Sequence, residues 1–331
     1  MNRLLEVENL VTNFHIGVGC VQAVRGASFH VDAGESLGIV GESGSGKSVT
    51  MMSIVGLLPE YADVSAKAIR FEGADVTRMS RAEFQKLRGD KIGMIFQDPM
   101  TSLNPLYTVE DQITEPLKVH RGMKKRAARE AALELLRRVE IPNPEARLKQ
   151  YPHELSGGMR QRVMIAAAIA CQPKLVIADE PTTALDVTIQ AQVLELLQHL
   201  RRESNTSIIM ITHDLGVIAS MCSRILVMYG GIICEQGTAR EIFYQPRHPY
   251  TWGLLRSIPG ANGNRGEKLI PINGTPPDML RPPKGCPFAP RCPHAMPVCR
   301  AYLAPEMRIS DTHVCACHLM HPRAPKIERG V

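Results

Sequence analysis

Hydrophobic and polar residues alternate from Leu4 to about Val31, and this period of two predicts β-strands. A glycine-containing turn at residues 17–19 would separate them. Uninterrupted apolar runs follow at intervals, and such runs are typical of parallel strands that are buried on both faces. These runs occupy residues 34–40, 91–96, 174–180, 207–214 and 224–231.

A helical pattern separates the second of these runs from the third. Within residues 98 to about 171, the segment 124–140 repeats Ala and Leu at spacings of three and four. A further helix is predicted from Val187 to about Leu200, with Asp186 as its N-cap. This order of strands and helices predicts an α/β fold, in which a parallel-sheet core carries a helical insert.

Composition places the chain among ordinary globular proteins. Its 331 residues are 44% hydrophobic and 22% charged, with a net charge of +6 that is spread along the chain. The densest basic cluster, 124–129, suits a solvated helix face better than a nucleic-acid patch, so no nucleic-acid partner is expected. No apolar run approaches the roughly 18 residues of a membrane span, and the N-terminus lacks signal-peptide features. We therefore expect a cytosolic chain that can dock on a membrane protein.

The composition shifts after about residue 246. One short helix is expected there, and a loop-rich tail dense in proline and glycine follows from about residue 260. Four of the nine cysteines are scattered and resemble small core residues. Five crowd the tail, where a cytosolic location argues against disulfides and for metal binding: Cys286, Cys292, Cys299, Cys315 and Cys317.

Residues 41–48, GESGSGKS, fit the glycine-rich loop pattern G-x-x-x-x-G-K-[ST]. The loop lies between an apolar strand and a helix, an order that aims a helix N-terminus at an anion. Gly41 and Gly46 would allow close backbone approach, and Gly44 an unusual φ angle. Lys47 is expected to reach the β- and γ-phosphates of a nucleotide, and the Ser48 hydroxyl to bind Mg²⁺.

Two further motifs complete this chemistry. The strand at 174–180 ends in Asp179, a ligand for Mg²⁺, and Glu180, the base or water-positioning group for attack on a γ-phosphate. The motif LSGGM at 155–159 places Ser156 as the cap of another helix. This second phosphate-binding helix N-terminus suggests an anion that another subunit presents.

From Leu4 to about Phe243, these motifs resemble the ATP-binding cassette (ABC) proteins. GESGSGKS resembles their Walker A motif, LVIADE their Walker B motif and LSGGM their signature. Gln97 lies at the position of the Q-loop glutamine, Leu185-Asp186 resembles the D-loop, and His213 resembles the switch histidine. Phe14 is the candidate aromatic residue for stacking the adenine ring.

The resemblance implies a P-loop NTPase (RecA-like) core with an antiparallel β subdomain, in an ABC nucleotide-binding domain at 1–245 with a helical subdomain at about 98–171. It implies ATP hydrolysis with Glu180, His213 and Gln97 as catalytic residues. The implied Mg²⁺ ligands are Ser48, Gln97 and Asp179. The implied ATP-binding residues are Phe14, Gly41, Ser43, Gly44, Ser45, Gly46, Lys47, Ser48, Val49, Gln97, Asp179 and Asp186, with Ser156, Gly157 and Gly158 acting on a partner subunit's ATP.

The sequence contains one Walker A motif and one signature, so a site sandwiched between them requires two chains. A second ATPase subunit is the expected partner, either another copy of this chain or, as the favoured alternative, a paralogue in a heterodimer. Two integral membrane permease subunits and, indirectly, a solute-binding protein complete the expected assembly. The resemblance implies a peripheral location on the cytoplasmic face of the bacterial inner membrane.

Three segments resemble the ATPase subunits of bacterial dipeptide and oligopeptide importers: 97–109, 179–192 and 246–255. The resemblance predicts an ATP-hydrolysing motor for peptide uptake. Nickel and glutathione importers are close relatives and remain alternatives. A soluble ABC ATPase of DNA repair or translation is a further, less favoured alternative, because such a protein would usually carry two cassettes or a long coiled-coil insertion. A P-loop nucleotide kinase leaves LSGGM and His213 unexplained.

The C-terminal extension (residues 246–331) also resembles that group, with the spacing C-x5-C-x6-C-x17-C for Cys286, Cys292, Cys299 and Cys317. The resemblance implies a [4Fe–4S] cluster with four thiolate ligands. Either Cys315 or Cys317 can be the fourth ligand, and the match to the family pattern favours Cys317. Zinc is the alternative metal. Three histidines are alternative ligands: His294, His313 and His318.

Overall fold

The structure is a computed structural model that describes residues 3–183, 186–257 and 271–327. In these residues the strands are β1 (Arg3–Ile16), β2 (Gly19–Asp32), β3 (Ser36–Val40), β4 (Ala62–Ser65), β5 (Ala68–Phe71), β6 (Ala74–Asp75), β7 (Ile92–Ile95), β8 (Leu175–Asp179), β9 (Ser207–Ile211), β10 (Arg224–Tyr229), β11 (Ile232–Thr238), β12 (Met307–Arg308) and β13 (Val314–Cys315).

The α-helices of the same residues are α1 (Lys47–Ile54), α2 (Arg81–Leu87), α3 (Pro99–Ser102), α4 (Val109–Arg121), α5 (Lys125–Arg138), α6 (Pro144–Arg147), α7 (Gly157–Ile169), α8 (Val187–Ser204), α9 (Leu215–Met221), α10 (Ala239–Tyr244), α11 (Pro249–Arg256) and α12 (Pro297–Ala301). Two 3₁₀ turns lie at Pro152–Glu154 and His318–Met320. Within the described part of the chain, no helix is long and apolar enough to cross a membrane.

The central sheet has the order β12-β13-β11-β10-β3-β9-β8-β7. The five strands from β10 to β7 run parallel, and β11, β13 and β12 extend the sheet in antiparallel fashion. The predicted parallel-sheet core is thus confirmed, and the strands predicted within the apolar runs 91–96 and 174–180 are β7 and β8.

Successive residues of the parallel strands enter two different hydrophobic cores. In β8, Leu175 and Ile177 belong to the core beneath the antiparallel sheet, whereas Val176 and Ala178 belong to the core beneath the helical insert. Because both faces are covered, these strands show apolar runs rather than alternation. Burial of each such Leu, Ile or Val side chain contributes about 1.5–3 kcal/mol.

The second sheet is antiparallel, with the order β2-β1-β5-β6 and with β4 on β1. It forms from the alternating N-terminal segment, as predicted. The hydroxyls of Thr12 on β1 and Ser53 on α1 lie 2.8 Å apart in the buried contact between this sheet and α1. The sheet therefore packs directly on the helix that follows the glycine-rich loop.

The helical insert comprises α3 to α7. Helix α4 begins with a capping box, because Thr108 accepts from the backbone N–H of Asp111 and the Asp111 carboxylate accepts from that of Thr108. Helix α5 buries four residues that recur at spacings of three and four: Ala128, Ala132, Leu135 and Leu136. The predicted period of the insert therefore corresponds to the face that packs on α4 and α7.

Part of the tail joins the central sheet, although the sequence predicted a loop-rich tail and no strand there. Cys315 on β13 pairs with Glu235 on β11 in antiparallel fashion. The fully buried Glu235 carboxylate accepts hydrogen bonds from the backbone N–H groups of Arg247 and His248, and it lies 2.7 Å from Nε2 of His313. This buried ionisable group therefore holds two parts of the C-terminal extension against the core.

Candidate functional site

Four segments that were predicted to carry chemistry meet at one edge of the central sheet. The loop 41–48 follows β3, Gln97 follows β7, Asp179 ends β8 and His213 follows β9. Because β3, β9, β8 and β7 are adjacent and parallel, their carboxyl ends lie side by side. The sheet thus brings together segments that are far apart in the sequence.

The glycine-rich loop has the backbone geometry that its glycines were predicted to allow. At Gly41, φ is +154° and an added Cβ would lie 2.2 Å from the carbonyl oxygen of Met228. At Gly46, φ is +99° and an added Cβ would lie 2.5 Å from the carbonyl oxygen of Ala23. Neither position can hold a larger residue. Gly44, with φ of +75°, has open space around it, so conformation alone favours glycine there.

Helix α1 begins at Lys47, within the last two residues of the loop motif, and Gly46 gives it no side-chain cap. Its first N–H groups therefore lack a side-chain acceptor, as expected where a phosphate binds. The Lys47 ammonium donates to the carbonyl oxygens of Gly41 and Glu42 at 2.8 and 2.9 Å. Burial lowers the pKa of Lys47, and the nearby charges of Glu180, Asp179 and Glu42 oppose that shift.

Ser48 and Asp179 form the predicted pair of oxygen donors. The Ser48 hydroxyl donates to Oδ1 of Asp179 at 2.9 Å. Burial raises the pKa of Asp179, and the charge of Glu180 adds to the rise, whereas Ser48 and Lys47 oppose it. A hydroxyl beside a carboxylate is a donor set that suits Mg²⁺, and a bound cation would stabilise the ionised form of Asp179. The residues present thus fit the ion.

Glu180 contacts both other residues that were predicted to be catalytic. Its Oε2 accepts from Nε2 of Gln97 at 2.9 Å, and its Oε1 lies 3.3 Å from Nδ1 of His213. Glu180 also has a φ of +46°, which is unusual for a residue with a side chain. Its backbone N–H donates to the carbonyl oxygen of Ile211, which helps to hold this strained conformation.

Thr183 is a member of this cluster that sequence reasoning missed. Its hydroxyl donates to Oε2 of Glu180 at 2.8 Å, and its backbone N–H donates to the Glu180 carbonyl at 3.2 Å. The signal that could have revealed it is a hydroxyl residue three positions after the acidic strand end, within a tight turn.

Ser156 caps α7, as predicted, because its hydroxyl accepts from the backbone N–H of Met159 at 3.4 Å. Ser156 and Gly157 are exposed and Gly158 is half-buried. The start of α7 therefore presents a helix N-terminus at the surface, which is the geometry required if it binds an anion held by another chain.

Asp186 is the N-cap of α8, and its Oδ1 accepts from the backbone N–H of Ile189 at 2.9 Å. The predicted helix at 187–200 continues to Ser204. Leu185, the other residue of the predicted D-loop, lies outside the described residues.

The remaining predicted ATP ligands lie on β1, in the glycine-rich loop and on α1. Phe14 is half-buried on β1, and its ring centroid lies 6.0 Å from that of Tyr61, a second aromatic residue at this end of the antiparallel sheet. Within the loop, Ser43 is exposed and Ser45 is buried. Val49 packs against the core beneath the antiparallel sheet.

Four cysteines of the C-terminal extension lie close together. Burial raises the pKa of Cys317 to about 12, and the charges of Cys286, Cys292 and Cys299 contribute to the rise. Burial raises the pKa of Cys315, and the charges of Glu235, Cys317 and Cys234 add to the rise. The charges that act on Cys317 therefore agree with its grouping with the three thiols of the predicted motif.

This cluster does not form a converged metal site. Among the described residues, no three His, Cys, Asp or Glu side chains are placed to hold one metal ion. The three alternative histidine ligands have other contacts. His313 binds Glu235, His318 lies 3.1 Å from the carbonyl oxygen of Tyr302, and the His294 ring packs on Trp252. The described side chains therefore do not support the predicted iron–sulfur cluster, since they form no group that could hold a metal ion.

Comparison with protein families places two matches on the chain. Residues 24–183 match the family described as "ABC transporter", and residues 234–299 match "Oligopeptide/dipeptide transporter, C-terminal region".

Several curated proteins are similar over most of their length. The oligopeptide transport ATP-binding protein of Bacillus subtilis is 56% identical over 329 residues, which cover 99% of this chain and 92% of that protein. The dipeptide transport ATP-binding protein of the same organism is 55% identical over 98% of this chain and 97% of that protein. The oligopeptide transport ATP-binding protein of Salmonella typhimurium is 54% identical over 90% of this chain and 88% of that protein.

Solved structures resemble the larger part of the fold. A dimeric bacterial ABC transporter cassette has a TM-score of 0.64 and 30% identity, covering 71% of this chain and 99% of that chain. A dimeric post-hydrolysis cassette bound to ADP and Pi has a TM-score of 0.62, with the same identity and coverage. These likenesses confirm the predicted fold class.

Proposed function

The chain belongs to the ABC family of oligopeptide and dipeptide transport ATP-binding proteins, and we propose that it is the ATP-hydrolysing motor of a peptide importer. The observation that carries this proposal is the group of side chains around Glu180. Gln97 and His213 contact its carboxylate at the sheet edge where the glycine-rich loop, Lys47 and Asp179 also lie. The peptide transport relatives favour a peptide over nickel or glutathione as cargo.

ATP binds along the loop 41–48 in this proposal. Lys47 leaves the loop carbonyls for the β- and γ-phosphates, and the N-terminus of α1 receives phosphate oxygens. Ser48 and Asp179 would hold Mg²⁺, with Gln97 as a further ligand, and the ion would neutralise charge on the phosphates. Phe14 stacks on the adenine ring. These groups supply positioning and charge neutralisation, which phosphoryl transfer mainly requires.

Hydrolysis relies on the residues around Glu180. The Glu180 carboxylate accepts a proton from, or orients, the attacking water. His213 contacts Oε1 of this carboxylate and Gln97 contacts Oε2. In this proposal both residues lie beside the γ-phosphate and sense whether it is present. Because Gln97 lies two residues before α3, a change at the γ-phosphate reaches the helical insert directly.

A second ATPase subunit completes each site. The chain has one glycine-rich loop and one LSGGM motif, and the start of α7 is exposed. Ser156, Gly157 and Gly158 then contact the nucleotide of the partner. Two similar solved cassettes are described as dimeric, which supports this arrangement. A paralogous subunit is the proposed partner, in a heterodimer.

A groove between the core and the insert is the proposed contact with the permease subunits. This cavity of about 550 Å³ is lined by Leu57 and Phe96 on one side and by Leu103 and Tyr107 on the other. Leu57 and Tyr107 are exposed although they are large and apolar, which favours a protein partner. A cytoplasmic helix of a permease subunit fits this chemistry and places the chain peripherally on the inner membrane. A solute-binding protein delivers the peptide from the other side.

For the four clustered thiols we propose a [4Fe–4S] cluster, with Cys286, Cys292, Cys299 and Cys317 as ligands. Backbone N–H groups near three of these thiols, those of Phe288, His294 and Leu319, oppose the rise in the pKa of Cys286, Cys292 and Cys317 and so favour the thiolate form. A cluster has one thiolate on each iron, so its ligands need not converge on a single ion, as zinc would require. The bound group would cross-link separate segments of the extension.

Co-purification tests the function as a whole. We expect the tagged chain, expressed with its neighbouring genes, to bring down integral membrane subunits and to show peptide-stimulated ATP turnover in the assembled complex. Ser156→Arg should impair ATP binding and turnover at the partner's loop while ATP still binds to the loop of the variant chain, because the signature serves the partner's site. A fully active protein that binds DNA or ribosomes and no membrane subunit would contradict the proposal.

A further inference from the structure

The C-terminal extension holds the glycine-rich loop at Glu42. The backbone N–H of Glu42 donates to the hydroxyl of Tyr250 at 2.7 Å. Its carboxylate accepts hydrogen bonds from both terminal nitrogens of Arg291, at 2.6 and 3.1 Å, in a bidentate pair. Tyr250 is the second residue of α11, and Arg291 immediately precedes Cys292. Two distant parts of the extension therefore contact one loop residue.

Arg291 is a rigid group. Its side chain is only 6% exposed, and all five of its N–H groups have acceptors. Besides Glu42, these acceptors are the carbonyl oxygens of Ile272 and Asn273 and the hydroxyl of Tyr229, each at 2.9 Å. An arginine held in this way cannot easily follow a loop that moves away from it.

The Arg291 turn also belongs to the cysteine cluster. The backbone N–H of Ala289 donates to the carbonyl oxygen of Cys286, and that of Arg291 donates to the carbonyl oxygen of Phe288. These bonds form a compact turn between two clustered thiols. The position of the guanidinium therefore depends on the fold of the thiol cluster.

Glu42 places a negative charge where a polyanion is expected to bind. Its charge acts on Lys47, and its own carbonyl oxygen accepts from Nζ of Lys47. Without a partner, the Glu42 carboxylate would repel the phosphates and compete with them for Lys47. Arg291 cancels that charge at close range.

We propose that Arg291 is a positioning residue for ATP: it neutralises Glu42 and fixes the loop so that Lys47 is available to the phosphates. Through this pair the C-terminal extension becomes part of the nucleotide site and controls its affinity. The proposal rests on the ATPase function proposed above, and it gives the extension a role in ATP binding.

A matched control lies at the other end of the same strand. Glu35 immediately precedes β3, whereas Glu42 follows it closely. Glu35 forms a similarly buried pair with Arg224, with Nε to Oε1 at 2.8 Å and both side chains 12% exposed. Arg224→Met therefore removes a comparable ion pair far from the loop.

The test is a titration of the full-length chain with Mg-ATP, measured by calorimetry together with the melting temperature. Arg291→Met should raise the Kd about tenfold, equivalent to about 1.4 kcal/mol. Glu42→Gln should change the Kd by less than about threefold, and the double variant Arg291→Met/Glu42→Gln should recover to within about threefold of wild type. Arg291→Lys should recover part of the affinity. Arg224→Met should lower the melting temperature and leave the Kd unchanged.

The double variant separates a charge effect from a structural one. If it binds ATP as weakly as Arg291→Met, or if Arg291→Met binds as tightly as wild type, the proposal is wrong. Arg291→Gln keeps amide donors but loses the charge, and it replaces Arg291→Met if that variant does not fold. In the assembled complex, the KM for ATP should rise while kcat changes less than about twofold. A wild-type chain that binds no ATP would instead contradict the proposed ATPase function.

Discussion

The side-chain nitrogen of Gln97 lies 2.9 Å from a carboxylate oxygen of Glu180, although the two residues are 83 positions apart. Gln97 follows β7 and leads into the insert, and Glu180 follows β8, so the bond joins the helical insert to the proposed catalytic carboxylate. A ligand that draws Gln97 away from Glu180 would move the start of α3. This relationship offers a direct route from ATP binding to the groove proposed for the permease.

Glu180→Gln should reduce ATP turnover of the assembled complex by about 100-fold or more, because the amide cannot accept the proton of the attacking water. ATP binding should be retained, since Lys47 and Ser48 are unchanged. The measurements are steady-state phosphate release and a binding titration. Glu195→Gln, an exposed position on α8, is the control and should behave as wild type. Near-normal turnover in Glu180→Gln would remove Glu180 from the mechanism.

Thr183→Ala should lower kcat by about threefold to tenfold and leave the KM for ATP unchanged. The variant removes one hydrogen bond to Oε2 of Glu180, and such a bond contributes about 1 kcal/mol. Thr183→Ser keeps the hydroxyl and should restore kcat. If the alanine and serine variants are equally impaired, the hydroxyl does not position Glu180.

The free energy of unfolding of the chain should decrease as the pH falls, because of His248. Burial lowers the pKa of His248 to about 4, while the charge of Glu235 opposes the shift, and Nδ1 accepts from the backbone N–H of Tyr250. The unfolded chain protonates this histidine near pH 6.5, well before the folded chain does. The stabilisation is therefore complete above about pH 6.5 and is lost progressively as the pH falls to about 4.

Melting temperatures across that pH window test this dependence. His248→Asn is the comparison, because its side-chain oxygen can still accept from Tyr250 without titrating. We expect the melting temperature of the wild type to fall more steeply with decreasing pH than that of His248→Asn. Parallel curves would show that His248 does not control this part of the acid sensitivity.

Iron and sulfide analysis of anaerobically purified protein tests the thiol cluster. Wild type should contain about four iron and four sulfide per chain if the four-thiolate cluster forms. Cys317→Ser should lose most of the iron, whereas Cys315→Ser should retain it, because the charges of Cys286, Cys292 and Cys299 act on Cys317. Stoichiometric zinc without sulfide would exclude the iron–sulfur cluster.

Local signals predicted where several candidate site residues lie in the fold. Asp186 was expected to cap a helix and does, and Ser156 caps α7. Lys47 was expected in the loop between a strand and a helix, and Asp179 at a strand end, and both lie at the carboxyl edge of the central sheet. Each of these predictions depends on neighbours within a few residues, because capping and glycine-rich turns are short-range properties of the chain.

Contacts between distant residues had no such signal. Thr183 was missed because its contact depends on the unusual backbone conformation of Glu180. That conformation places the Glu180 carboxylate within hydrogen-bond distance of the Thr183 hydroxyl. The pairing of β13 with β11 was missed because two residues, Val314 and Cys315, have no local strand pattern and are fixed by their partners.

The sequence by itself determined the α/β class and the positions of the glycine-rich loop and the two acidic residues. Only the tertiary structure decided which strand neighbours which, and that Arg291 neutralises Glu42 from 249 positions away. The physical reason is range. Backbone geometry and capping act between near neighbours, whereas charge pairing and burial depend on which surfaces the completed fold brings together.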